Sequence, residues 1–529
     1  MNSVKILDST LRDGAQGEGI AFTNRDKLAI VKKLDKLGIQ YIEAGNPASN
    51  PKDMDFFYEV KQLKLKNSKI VAFGSTRHKD SKIDEDKNIL SLLQADTDVV
   101  SIFGKSNEDH VIDILKATKQ QNIEMIFDTI SFFKSKGKEV IFDAEHFFDG
   151  YKKNAQYTME TLLTAQNAGA DVIVLCDTNG GTFCDEIAQI INEVKSQLTC
   201  EIGIHCHNDI GCAVANSVMA VKGGATHVQG TYIGFGERCG NANLSSVIPL
   251  LQLKEGYECI PIEYMQRLTK TARFIAEVTN VSLDNAIPFV GKSAFSHKGG
   301  MHVDGVTKKS SSFEHIAPES VGNKRHVLIS EVSGRSAMLS VINDIDPTIT
   351  KESKEAQELI DILKELEFKG YLFESATASL ELVITKHLNQ FDPFFKLLRF
   401  KVIGEQTAGL HGGLASAMIK IQVGEETEIT AAEGEGPVHA LDIALKKAVQ
   451  RFYPAAKNIR LIDYKVRVIE PSDATAALVR VMIVSSDGTD IWTTVGVSRD
   501  IIDASLHALL DSVEYKLMKE KKYNDSEEE

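Results

Sequence analysis

Short runs of β-branched and apolar residues recur through the first part of the chain. Each is followed by a polar turn and a stretch of helical periodicity. The spacing predicts strands at 4–10 (VKILDST), 41–45 (YIEAG), 70–75 (IVAFGS) and 98–104 (DVVSIFG). Four more are predicted at 139–143 (EVIFD), 171–177 (DVIVLCD), 201–207 (EIGIHCH) and 226–232 (THVQGTY). IEMIFDTISFF is ambiguous by composition, but Ile123, Ile126, Phe127, Ile130 and Phe133 follow helical spacing, so this segment is read as helix. Eight strands alternating with helices in about 260 residues suit a TIM (β/α)₈ barrel. A doubly wound sheet would have fewer strands and a glycine-rich first turn.

A helical run at 261–279 follows, and the barrel domain is assigned to 1–270. Residues 271–385 read as helical linker subdomains, with a glycine-bearing stretch at 291–305 (GKSAFSHKGGMHVDG) and a strong helix at 351–368. The rhythm changes again over 386–515. Strands at 396–403, 417–423, 462–469 and 476–485 and helices at 437–452 and 499–518 form two similar halves, which predicts a separate α+β domain. The charged tail, 516–529, is expected to be disordered.

A chain of 529 residues is too long for one compact domain. Its net charge of −14 and the absence of a basic stripe argue against nucleic acid as a partner. No apolar stretch is long enough to span a membrane, and the opening MNSVKILDSTLRDG does not read as a signal peptide. The seven cysteines include no CxxC pair and are read as reduced thiols, which fits a cytoplasmic protein.

Barrel enzymes keep their chemistry at the C-terminal ends of the strands. Arg12 and Asp13 follow the first strand, where one could bind an anion and the other a cation. Alone, they would more readily be an ordinary surface turn. His205 and His207 end the seventh strand. Strand side chains alternate, so both imidazoles share one face and are placed to share a metal ion. Asp13 and Asn241 are further candidates, Asn241 lying in the GERCGNAN loop after strand eight. Two nitrogens and two oxygens suit a divalent ion such as Zn²⁺, Mn²⁺, Co²⁺ or Mg²⁺. Glu43, Glu145 and Thr178 lie at other strand ends and complete a polar ring.

LRDGAQ followed by Lys27, IGIHCHNDIGCAVA and GERCGNAN resemble the signatures of the isopropylmalate/homocitrate/citramalate synthase family. AAEGEGPVHAL at 431–441 resembles part of that family's regulatory C-terminal domain. The resemblance implies a divalent ion on Asp13, His205 and His207, with Asn241 as a further ligand. It implies that Arg12 and Thr178 hold the 2-oxo acid, and it places Glu145 at the substrate. His302, in KGGMHVDG, resembles a catalytic histidine that the linker supplies, often to the partner's barrel, so a homodimer is expected. Its plain alternative is a loop histidine.

The implied reaction joins acetyl-CoA to a 2-oxo acid. Asp13, where homocitrate-forming members carry glutamate, and Ala15, where isopropylmalate-forming members carry glutamate, favour pyruvate and the citramalate-forming branch. The alternatives are 2-oxoisovalerate as substrate and a non-catalytic amino-acid sensor. The expected effector is isoleucine. Phe313 stands where relatives often have tyrosine, so no role is assigned to a hydroxyl there.

Overall fold

The computed structural model describes residues 3–527 apart from 50, 299, 328–341, 344, 347, 350–352, 374, 389–390, 406–413 and 470–476. It divides into two compact units, Met1–Ser296 with Ser310–His326, and His297–Lys309 with Val327–Glu529.

The first unit is a closed parallel barrel of β1 (Lys5–Asp8), β2 (Tyr41–Glu43), β3 (Lys69–Ser75), β4 (Val99–Lys105), β5 (Glu139–Glu145), β6 (Val172–Asp177), β7 (Glu201–Cys206) and β8 (His227–Gly230). β8 pairs with β1 and shuts the barrel. These are the eight expected strands. The ambiguous segment is helix Lys119–Ser135, opened by a capping box in which Thr118 Oγ1 accepts from Gln121 N and Gln121 Oε1 accepts from Thr118 N.

Alternation along each strand sorts side chains into two environments. Ile6, Ile42, Ala72, Val100, Phe142, Ile173, Ile204 and Val228 belong to the large core shared with the helices. Leu7, Tyr41, Val71, Val99, Ile141, Val172, Val174 and Cys176 form a separate apolar plug inside the barrel. Two residues further along, the inward positions become polar. Glu43, Ser101, Asp143, His205 and Gln229 are all buried there. The C-terminal half of the barrel is therefore built for chemistry, and the N-terminal half for packing.

The second unit contains two antiparallel three-stranded sheets. Strands Lys396–Glu405, Leu414–Val423 and Glu426–Gly434 precede helix Pro437–Gln450, and strands Arg460–Val468, Val479–Ser486 and Ile491–Ser498 precede helix Ile501–Glu527. The two similar halves are present, each with a third strand that the hydrophobic pattern did not reveal. Glu426–Gly434 is largely exposed and lacks an apolar alternation. Ile491–Ser498 carries Gly496, where a Cβ would lie 2.0 Å from Ala504 O, so the helix crosses directly over its backbone.

The helix Thr377–His387, assigned by sequence to the linker, packs into this unit: Ser379 Oγ donates to Asp511 Oδ2 at 2.7 Å and accepts from Val495 N at 3.1 Å. The run from residue 516, expected to be disordered, continues the final helix to Glu527. Leu517 and Met518 bury their side chains and Lys516 pairs with Asp487, which anchors the helix despite its charged sequence. Among the described residues, no helix is long and apolar enough to cross a membrane.

Candidate active site

After β1 the chain turns back on Ser9, whose carbonyl accepts from Arg12 N and Gly14 N. This turn aims Arg12 and Asp13 into the mouth. Arg12 Nε donates to Glu43 Oε2 at 2.6 Å and Nη1 to Asp13 Oδ2 at 3.0 Å. Its guanidinium lies 3.9 Å from the centroid of Phe73, which stacks on Phe103 at 5.2 Å. A surface turn would leave Arg12 mobile. Here it is fixed by two carboxylates and an aromatic face.

His205 Nε2 and His207 Nε2 stand 3.3 Å apart and lie 3.4 and 3.9 Å from Asp13 Oδ2. Asp13, His205 and His207 are the buried cluster with metal-binding geometry among the described residues. Asn241 joins them because its loop folds back along β7. His207 and Asn241 form a β-bridge, and Ala242 N donates to Cys206 O. Asn241 Nδ2 lies 3.3 Å from His205 Nε2. Gly236 makes room for this amide, since a Cβ there would come within 2.1 Å of Asn241 Oδ1. Arg238, at φ +55°, clamps the loop by donating to both Asp209 carboxylate oxygens and to Thr178 O.

These residues fit a divalent ion. Asp13 Oδ1 and Asn241 Oδ1 are buried without a hydrogen-bond partner, a costly state that a cation would relieve. Burial alone would raise the Asp13 carboxyl, but Arg12 and the two histidines outweigh it and hold it far below the usual range. Burial and the neighbouring His205 push His207 down to about 4, so it presents a neutral ring. For His205, burial is outweighed by Asp13, and the ring is pushed up.

Glu145 ends β5 and pairs with Lys105 at 2.5 Å. Thr178 Oγ1 accepts from His146 N at 2.9 Å, which steadies His146 in its left-handed conformation, φ +56°. The barrel thus brings Arg12, Asp13, His205, His207 and Asn241 together, with Glu145 and Thr178 at neighbouring strand ends. His302 is not on the barrel. It lies exposed on helix Gly300–Lys308 in the second unit. Phe313 is half-exposed.

Sequence reading missed several groups. The His110 and His146 rings lie 3.9 Å apart in a tilted contact, and burial, then His146 and Lys105, push His110 down. Asp143 and Gln229 lie in the barrel interior, signalled only by a polar residue inside an otherwise apolar strand. Arg238 and Asp209 each lie in a quoted motif, but nothing in the linear sequence pairs them.

An eight-stranded barrel with a buried Asp/His/His cluster beside a fixed arginine at its C-terminal mouth defines a barrel enzyme of the HMGL-like class. Residues 3–275 match the HMGL-like family model, 289–370 the homocitrate synthase post-HMGL domain-like model, and 374–517 the LeuA allosteric (dimerisation) domain. The chain is 48% identical to the (R)-citramalate synthase of Geobacter sulfurreducens and 49% identical to that of Aquifex aeolicus, in both cases over 98% of each chain. A probable 2-isopropylmalate synthase of Archaeoglobus fulgidus is 30% identical over 99% of each chain. The chain belongs to the (R)-citramalate synthase family.

Proposed function

We propose that this chain condenses acetyl-CoA with pyruvate and hydrolyses the resulting thioester, releasing (R)-citramalate and CoA as a step toward isoleucine. The observation that carries the reading is the Asp13/His205/His207 cluster beside Arg12, in a chain 40–49% identical to (R)-citramalate synthases. The isopropylmalate reading rests on relatives near 30% identity. The sensor reading is disfavoured by a complete set of chemical groups at the mouth.

Asp13, His205, His207 and Asn241 would hold the ion, with Mn²⁺, Zn²⁺, Co²⁺ and Mg²⁺ all compatible with the donor set. When bound, it supplies Lewis-acid polarisation of the keto group. Arg12, already oriented by Glu43, places positive charge at the same oxygen as the C–C bond forms. The Thr178 oxygen is occupied by His146 N, which leaves its hydroxyl proton to donate to the oxo acid. His302 is assigned the removal of a methyl proton from acetyl-CoA on its sequence pattern alone, with Glu145 assisting proton transfer. Water then cleaves the thioester and CoA leaves as a thiol.

The reading extends to a homodimer regulated by isoleucine. It is supported by the match to the LeuA domain and by exposed apolar residues on its strands, among them Leu398, Ile403, Ile429, Ile462, Val466 and Val468. Gly434 and Gly436 precede the helix at Pro437, whose backbone N–H groups suit an amino-acid carboxylate. Mixed dimers of Arg12→Ala and His302→Ala chains regain part of the activity if the two residues act across subunits.

The deciding experiment is thiol release from acetyl-CoA over a panel of oxo acids. Pyruvate should give the highest kcat/KM, and a preference for 2-oxoisovalerate would overturn the substrate assignment. With pyruvate, isoleucine should inhibit the full chain. Inhibition at a distance typically carries about 1–3 kcal/mol of coupling. Activity indifferent to isoleucine would remove the regulatory reading.

A further inference from the structure

The barrel interior holds a chain of polar side chains that the reaction does not itself require. Ser101 Oγ donates to Asp143 Oδ2 at 2.5 Å, Gln229 Nε2 donates to Asp143 Oδ1 at 2.9 Å, and Gln229 Oε1 lies 2.9 Å from His205 Nδ1. All four residues are buried. Polar groups in such a place are unfavourable unless every bond is made.

The chain has a direction. Asp143 Oδ1 faces Gln229 as an acceptor, which turns the Gln229 amide nitrogen toward it and the amide oxygen toward His205. An oxygen facing Nδ1 requires Nδ1 to carry the proton. The lone pair of His205 is thereby confined to Nε2, the atom that faces Asp13 Oδ2 and His207 Nε2. His207 has no such support, because its Nδ1 is buried without a partner.

We propose that Gln229, oriented by Asp143 and Ser101, is a positioning residue that sets the tautomer of His205 and so prepares the metal site. The proposal rests on the metal-site reading given above. A partner on the remote ring nitrogen fixes the imidazole and strengthens its donor atom, and loss of such a partner typically weakens metal binding about 10–100-fold.

The test is titration of the metal-free full-length protein with Co²⁺, read by its absorption bands. Gln229→Met, similar in length but unable to hydrogen-bond, should bind Co²⁺ about 10–100-fold more weakly than wild type. Gln229→Glu combined with Asp143→Asn, whose amide can donate to the new carboxylate, keeps an acceptor toward His205 and should restore binding, a rescue that a packing role would not produce. Wild-type affinity in folded Gln229→Met would overturn the proposal. If that variant fails to fold, Asp143→Ala carries the same test: it frees Gln229 to reverse its amide, and unchanged Co²⁺ affinity there would overturn the proposal equally. Failure of wild type to bind Co²⁺ would instead overturn the metal-site reading itself.

Discussion

Two histidines stand inside the same barrel and live in opposite worlds. His227 lies at the start of β8, among the plug residues, with Tyr41 at 5.5 Å between ring centroids. Both of its nitrogens are buried without partners, and burial pushes the ring down to about 3. His205, one strand away and nearer the mouth, has Gln229 on one nitrogen and Asp13 near the other, and its ring is pushed up. Burial is common to both. What separates them is whether a hydrogen-bonded carboxylate accompanies the ring into the interior. The apolar half of the barrel makes an imidazole inert, and the polar half makes it a donor atom with a fixed direction.

The comparison breaks most sharply at the mouth. His207→Ala should reduce kcat by about 10²–10³-fold, the scale expected when a preorganised charge-stabilising group is lost. Far-ultraviolet circular dichroism should be unchanged, because the plug and the outer core are untouched. Bound metal measured by atomic emission should fall with activity. Unchanged metal content and turnover would show that the cluster is not the reaction centre.

The apolar half gives a smaller effect of a different kind. His227 ordinarily titrates at 6.5 and is held at about 3 in the folded chain. A group whose folded value is depressed contributes stability that is fully present above pH 6.5 and is lost as pH falls toward 3. Between pH 7 and pH 5 this loss amounts to about 2 kcal/mol. His227→Leu has no such titration, so urea unfolding should show its stability declining less than wild type by about that amount over the same interval. Activity at pH 7 should stay close to wild type. Parallel pH profiles for the two proteins would mean that His227 is solvated, and the contrast with His205 would fail.

The same contrast explains what could be read from the sequence. The barrel was legible because each strand is an apolar run followed by an amphipathic helix, a pattern that local residues alone create. His205 and His207 were legible because two residues of one strand necessarily share a face. Gln229 and Asp143 were visible as polar letters in apolar strands, but their bond joins β8 to β5 across the interior, and no periodicity encodes that pairing. Arg12 looked like a surface turn until Glu43 and Phe73 were seen to enclose it. In the C-terminal unit, the missed strands were those that one-sided exposure or a glycine had stripped of alternation. The final helix was legible over 499–518, but its continuation to Glu527 was not, because the charged residues beyond Met518 carry no apolar period.

The smallest expected effect lies where the polar mouth keeps an apolar wall. Phe103 stacks on Phe73, and Phe73 in turn supports the guanidinium of Arg12. Both rings are only partly buried and sit at the strand ends that carry the proposed chemistry. We expect the alkyl end of an oxo acid held at Arg12 to meet this aromatic surface. Truncating Phe103 would enlarge the space while leaving every polar contact of Arg12 in place. A methylene in an apolar pocket is worth about 1–3 kcal/mol, so Phe103→Ala should move the kcat/KM ratio of 2-oxobutanoate to pyruvate upward by about tenfold or more. Phe73→Ala would also remove the support of Arg12, and should lower kcat with both substrates besides shifting their ratio. If Phe103→Ala lowers both rates equally and leaves the ratio unchanged, Phe103 serves the stacking of Phe73 alone, and the wall that selects the small oxo acid must be sought on another strand.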